Sequence, residues 1–336
     1  MTHSELLLAC LAGLLAAVLS AGLTWAIRPL MARVALARPN VRSSHKIPTP
    51  QGAGVAVIAA TLTVAGAVIA LAGTLGATVP LTVFAATLFI AAVGFADDMN
   101  SIPVLPRLSL QGFAVAIVIF AVPDDLRITA AVPIWLERAM LLVAGLWFVN
   151  LVNFMDGLDL MTAAEAIPVA AAVALFGFLG DVPASITIVA SALCGAMLGF
   201  APFNRPVAKI FLGDVGSLPI GLVLGWCLLQ LAFHGQLAAA LLLPLYYLAD
   251  ATVTLLRRLL RREPIWEAHR SHFYQRATDN GFTVWRVVGE VLALNILLAA
   301  LAVASTLAEA IVVKILMLAM GCIAVAWLMF RFSRRR

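Results

Sequence analysis

Residues 78–98 read TVPLTVFAATLFIAAVGFADD. The part from 78 to 96 carries no charge and, at ~1.5 Å per helical residue, covers most of a ~30 Å hydrocarbon layer. It then stops on two adjacent aspartates, Asp97 and Asp98. An uncharged run of that length reads as a membrane helix, and the acids that close it read as a polar rim. Working outward, apolar segments recur at 5–27, 52–73, 78–96, 108–122, 136–153, 162–180, 183–201, 216–234, 236–256, 284–305 and 308–330, the fourth being the shortest. The expected fold class is an all-α polytopic membrane protein with about 11 transmembrane helices. It is read as a single integral membrane domain over residues 1–336.

Composition agrees. Of 336 residues, 63% are hydrophobic and 12% charged, against about 45–50% and about 25% in soluble domains. That balance excludes an ordinary soluble domain and a disordered chain. In a soluble protein a net charge of +5 would raise nucleic acid as a partner. In a membrane chain it sets orientation instead, and no nucleic acid is expected. With the 28–51 loop inside and each span reversing the side, every Lys and Arg except Arg127, Arg138 and Lys314 falls on the inner side. The N-terminus is then outside and the C-terminus cytoplasmic. The first span follows Met1-Thr2-His3-Ser4-Glu5, which has no basic residue, and reads as a retained helix. Cys10, Cys194, Cys227 and Cys322 lie in apolar runs without CxxC spacing and read as small core residues.

The acids divide by side. On the outer side Glu5, Asp124, Asp125, Glu137, Asp181 and Glu309 are scattered and read as solvated. On the inner side Asp97, Asp98, Asp156, Asp159 and Asp214 occupy three separate connections, each against a long apolar span. A carboxylate at headgroup level is costly unless paired, hydrated or metal-bound, so these loops are expected to converge. Asp97-Asp98 suits a hard divalent cation such as Mg²⁺, with Mn²⁺ as a substitute, or else an interfacial turn with two solvated acids. Asn150, Asn153 and Asp156 share one helical face at i, i+3, i+6, after which Gly157 turns the chain and Asp159 points elsewhere. Amides followed by acids supply the donors and acceptors that a nucleotide or sugar needs; a polar helix end packed on its neighbours would look the same. Asn204, Lys209 and Phe211-Leu212-Gly213-Asp214-Val215-Gly216-Ser217 precede another apolar helix. Its N–H groups suit a phosphate, Lys209 adds a counter-charge, and simple capping by Asp214 is the plainer reading. In the last inner loop Arg257, Arg258, Arg261 and Arg262 read as a headgroup anchor. The His269, Arg270, His272 cluster suits a diphosphate better than a metal.

Taken together and in order, these motifs resemble the polyprenyl-phosphate N-acetylhexosamine-1-phosphate transferases, the glycosyltransferase family 4 that includes MraY and WecA enzymes. The resemblance covers roughly residues 40–280 and adds Lys46-x-x-Thr49-Pro50 ahead of the second span. It implies transfer of a sugar-1-phosphate from a UDP-HexNAc donor to undecaprenyl phosphate, with release of UMP, at the cytoplasmic face of the bacterial inner membrane. It implies that Lys46 holds the nucleotide, Asp159 contacts uracil, Phe211 stacks on it, Asn204 and Asp156 lie near the nucleoside, and Asp214 binds Mg²⁺. At most a homodimer is implied. Tyr274 and Gln275 stand where the family has histidines. This departure argues against a muramoyl-pentapeptide donor and resembles the WbpL-type branch, which starts O-antigen chains, often on a 6-deoxy-HexNAc such as FucNAc or QuiNAc; GlcNAc is the other candidate sugar.

The expected chemistry is in-line phosphoryl-type transfer between two anions, which needs positioning and charge cancellation. Asp97, Asp98 and Asp214 are the expected metal ligands, and Asp97 or Asp98 also orients or deprotonates the acceptor. His272 and Arg270, beside His269, are expected to neutralise UMP. Asn150, Asn153, Asn204 and Lys209 complete the expected binding set. The catalytic loops are about 28–51, 97–107, 153–162, 202–216 and 257–283. An ion- or proton-coupled transporter is the alternative. It calls for acids near mid-span, whereas Asp250, Glu290 and Glu165 all lie toward the inner ends of their segments.

Overall fold

The computed structural model describes residues 2–37, 47–73, 78, 80–264, 269–308 and 310–335. In chain order its elements are α1 (His3–Val34), β1 (Leu36–Ala37), β2 (Thr49–Pro50), α2 (Gly54–Ala72), α3 (Leu81–Met99), α4 (Val104–Phe120) and α5 (Ile134–Met155). There follow α6 (Met161–Leu179), α7 (Ala184–Phe200), α8 (Asp214–Phe233), α9 (Leu237–Leu242), α10 (Leu245–Leu260), α11 (Phe273–Asp279), α12 (Val284–Thr306) and α13 (Ile311–Phe332). Among the described residues nine helices are long and apolar enough to cross a membrane, and the chain is a multi-pass α-helical membrane protein.

Two expected spans differ. The segment at 108–122 is an apolar helix of 17 residues, α4, that begins four residues earlier than expected. The segment at 236–256 is broken: α9 ends at Leu242 and α10 starts at Leu245. Pro244 accounts for the break, because it offers no N–H to the carbonyl four residues back and its ring crowds the preceding turn.

Helix α8 forms the centre and packs on α2, α3, α5, α6, α7 and α9. Between its first and last turns it is apolar around its whole circumference, which is the signature of a helix enclosed by others. Small residues let the backbones close up where hydrocarbon gives no hydrophobic drive. A Cβ on Gly195 of α7 would stand 1.8 Å from the Gly13 carbonyl of α1. One on Gly54 of α2 would stand 2.2 Å from Gly216 Cα of α8.

Two polar groups break the expected pattern. Glu137 is not a solvated outer-loop acid: it is 5% exposed, accepts from Arg127 Nε at 3.1 Å and from the Ile128 N–H at 2.7 Å, and ties the turn before α5 to its first turn. Glu165 of α6 accepts from Asn295 Nδ2 of α12 at 2.6 Å, so it joins two helices.

Candidate active site

The site begins where α3 ends. Asp97 and Asp98 lie in its last turn, and α8 starts at Asp214. The first N–H groups of a helix have no partner within it. Asp98 supplies one, accepting from the Asp214 and Val215 N–H groups at 3.0 Å each. The approach is close enough that a Cβ at residue 213 would meet Asp98 Oδ2 at 2.5 Å, and Gly213 has φ +78°. Only glycine satisfies both demands. Gly94, one turn earlier on α3, lies where a Cβ would be 2.3 Å from the Asp214 carbonyl oxygen.

Asp97 faces the other way. It accepts from the Ile102 N–H at 2.6 Å and from Arg107 Nη1 at 2.8 Å. The same Nη1 lies 4.0 Å from Asp214 Oδ2. Arg107 Nη1 thus lies between the Asp97 and Asp214 carboxyls, which interact with each other. Asn153, in the last turn of α5, donates to Asp214 Oδ1 at 2.8 Å and to Ser217 Oγ at 2.9 Å.

The remaining inner connections are stitched to this centre. Gln51 donates to the Asp98 carbonyl at 3.2 Å. The Gly52 and Ala53 N–H groups reach the Phe211 carbonyl at 3.1 and 3.0 Å, and the Phe211 N–H reaches Pro50 at 2.8 Å. Asn204 accepts from the Leu160 N–H at 2.7 Å and donates to the Ile210 carbonyl at 3.1 Å. Asp159 accepts from the Ala208 N–H at 3.1 Å. Asp156 caps α5 from outside the membrane-spanning part and accepts from the Thr162 hydroxyl. Burial lifts its pKa to about 7, and the nearby Asp98 and Asp159 charges push it the same way, against the Thr162 bond.

The last inner loop is held from within. Asp250 of α10, wholly buried, accepts from His272 Nδ1 at 3.1 Å and from the Phe273 and Tyr274 N–H groups at 3.0 and 3.1 Å. It thereby caps α11. Tyr274 donates its hydroxyl to the Phe154 carbonyl at 3.0 Å, and a Cβ at Gly157 would lie 2.2 Å from that hydroxyl. Tyr274 thus anchors this loop beside Asp156.

The structure therefore brings together Asp97, Asp98, Asn153, Asp156, Asp159, Asn204, Phe211 and Asp214. Asn150 does not join them. It sits one turn deeper, 5% exposed, and donates to Gln111 Oε1 of α4 and to the Leu146 carbonyl, both at 2.8 Å. Asn204 and Asp98 are occupied by backbone groups and hold the site's frame. His272 is 2% exposed and turned onto Asp250, so it orders α11 and does not face an open phosphate site. Its ring stacks between His269 and Tyr274. Arg270 binds the Thr278 hydroxyl and Asp279. Lys209 is exposed, and Lys46 lies outside the described residues. Arg107, Gln51 and Asp250 were not singled out from sequence as site residues. The available signal was Arg107's place as the lone base in its inner connection.

Among the described residues no three acids, histidines or cysteines form a metal cage by themselves. Two carboxylates from different helices nonetheless face each other at Asp97 and Asp214. That donor set fits Mg²⁺, which takes one or two carboxylates and completes its shell with water and substrate phosphate oxygens.

With this geometry in view, residues 80–232 match the family described as Glycosyl transferase family 4. The chain belongs to that family. It is 30% identical over 319 residues to a decaprenyl-phosphate N-acetylglucosaminephosphotransferase of Mycobacterium tuberculosis, covering 83% of this chain and 78% of that protein. A probable undecaprenyl-phosphate N-acetylglucosaminyl 1-phosphate transferase of Bacillus subtilis is 26% identical over 76% of this chain and 75% of its own. A phospho-N-acetylmuramoyl-pentapeptide-transferase of a Wolbachia strain is 43% identical, over 23% of each chain.

Proposed function

We propose that this protein transfers an N-acetylhexosamine-1-phosphate from a UDP-sugar to undecaprenyl phosphate, releasing UMP, at the cytoplasmic side of a bacterial inner membrane. The observation that carries this reading is the meeting of Asp97, Asp214, Asn153 and Arg107 at the start of α8. The names of the relatives support a polyprenyl-phosphate acceptor, and none of those three is named as a transporter. In the reaction an acceptor phosphate oxygen attacks the sugar-bearing phosphorus of the donor, and the bond from that phosphorus to the UMP oxygen breaks. Mg²⁺, when bound at Asp97 and Asp214, would supply charge cancellation for the diphosphate. Arg107 balances the two carboxylates. Asn153 fixes the Asp214 carboxylate, and the amides of residues 214 and 215 fix Asp98. Asp156 and Asp159, on the loop after α5, face the nucleoside part.

The donor belongs to the 6-deoxy-HexNAc or GlcNAc group, in keeping with the WbpL-type branch and with initiation of an O-antigen or related envelope polysaccharide. The test offers purified protein, Mg²⁺ and undecaprenyl phosphate a panel of UDP-HexNAc donors and looks for a lipid-linked diphosphosugar with release of UMP. Failure of every donor, with the protein folded, sinks the reading.

A further inference from the structure

Helices α10 and α13 touch but leave a space between their inner halves. Between them runs a groove of about 510 Å³. On one wall stand Leu245, Ala249 and Val253, four residues apart and hence on one stripe of α10. Val325, Ala326 and Met329 of α13 form the other wall. The α10 stripe continues to Arg257, and Arg276 of α11 lies beside it at the same end. From Leu245 to Arg257 is about 18 Å of helix, close to half of a ~30 Å hydrocarbon layer. The groove therefore has the length of one leaflet, apolar walls and a cationic inner mouth.

That mouth is built. The Arg257 guanidinium rests 4.6 Å from the centre of the Phe273 ring, which orients it while leaving its in-plane N–H groups free to donate. Among the described residues neither Arg257 nor Arg276 pairs with a carboxylate. Around Phe330, which the groove shares with a neighbouring cleft, Arg334 stacks at 4.1 Å, and Arg286 and Arg331 share the single acid Glu290. The surplus charge is positive throughout.

We propose that this groove binds one anionic phospholipid of the inner leaflet, with an acyl chain between α10 and α13 and its phosphate between Arg257 and Arg276. The charge selects an anion, and the one-leaflet length selects a membrane phospholipid over a long polyprenyl chain. The site is separate from the aspartate rim, because none of Asp97, Asp98, Asp156, Asp159 and Asp214 lines the groove. Its two arginines flank Phe273, the first residue of α11. A bound lipid therefore clamps α11 onto α10 and steadies the loop that carries His272 and Tyr274. This inference does not depend on the transferase reading.

The test uses the full chain, delipidated in neutral detergent, with phosphatidylglycerol or phosphatidylcholine of identical acyl chains. Native mass spectrometry counts bound lipid and a melting curve reads stability. Wild type should retain phosphatidylglycerol and melt higher with it, and phosphatidylcholine should do neither. The double variant Arg257→Ala/Arg276→Ala should lose at least about tenfold in affinity, since two charge-assisted contacts go. Ala249→Trp fills the groove without changing charge and should abolish binding, whereas Arg261→Ala, at the same end but off the groove, should keep it. Equal binding of both lipids, or full binding by either groove variant, overturns the proposal. So does displacement of phosphatidylglycerol by equimolar undecaprenyl phosphate.

Discussion

Asp98 holds Asp214 by its backbone: the carboxylate that closes α3 accepts from the N–H that opens α8, at 3.0 Å. One of the three acids expected from sequence to bind the metal therefore fixes the position of another. Asp98→Ala should lower melting temperature and transfer together, because a charged acceptor worth about 1.5–3 kcal/mol is lost from a helix start. Asp214→Asn should leave melting unchanged and reduce turnover by about 100-fold or more. Paired melting and transfer assays on the two variants check this. A stable, active Asp98→Ala protein would remove the structural assignment.

Asp156 sets a pH dependence. Its pKa rises from an ordinary 3.8 to about 7 on folding, mainly through burial. Between those values the folded chain holds a proton that the unfolded chain has lost, so this residue's contribution to stability falls as pH rises through that window and is level above it. Melting temperatures of Asp156→Asn should show a flatter profile over the same range. An unchanged slope would place the titration elsewhere.

Tyr274→Phe removes the hydroxyl that docks α11 on the Phe154 carbonyl. A cost of about 1 kcal/mol is expected, seen as faster proteolysis of the 257–283 loop with little change in the rest of the chain. Asp250→Ala, which frees His272 and two N–H groups at once, should have a larger effect on the same readout. Protection equal to wild type in both variants would mean that α11 is held by other contacts.

At Gly54 the test is steric. A methyl group there meets Gly216 backbone at 2.2 Å, with no flexible side chain to yield. Gly54→Ala should cost on the order of 1–3 kcal/mol or more and give little monodisperse protein on size exclusion. Gly289→Ala, where nothing lies within 4 Å, is the control and should behave as wild type.

Much of this arrangement was legible in the sequence because membrane helices announce themselves by uninterrupted apolar length, and acids stand out against it. Asp97, Asp98, Asp156, Asp159 and Asp214 were visible for that reason, and the three connections bearing them do meet. What each carboxylate does was not visible. Asp98 and Asp159 end on backbone N–H groups, and no residue type or spacing marks such a partner in advance. Asn150 misled because helical phase places it with Asn153 and Asp156 but says nothing of depth, and a Gln111 on α4 was waiting one turn down. Pro244 was in plain sight within an apolar run, where length outweighed it. Asp250 was legible only as an acid toward the inner end of its segment, because its three partners on the last loop are a side chain and two backbone N–H groups distant in sequence.

The break at Leu243–Pro244 has a consequence for how such a protein diversifies. The rim of Asp97, Asp98, Asn153 and Asp214 rests on α3, α5 and α8, and α2 closes on α8 with Gly54 against Gly216. The arm bearing Asp250 and α11 starts afresh at Leu245 and is tied back to the end of α5 through Tyr274. On the proposed reading, selection acting on that arm would be felt at the aspartate rim through the Tyr274 contact.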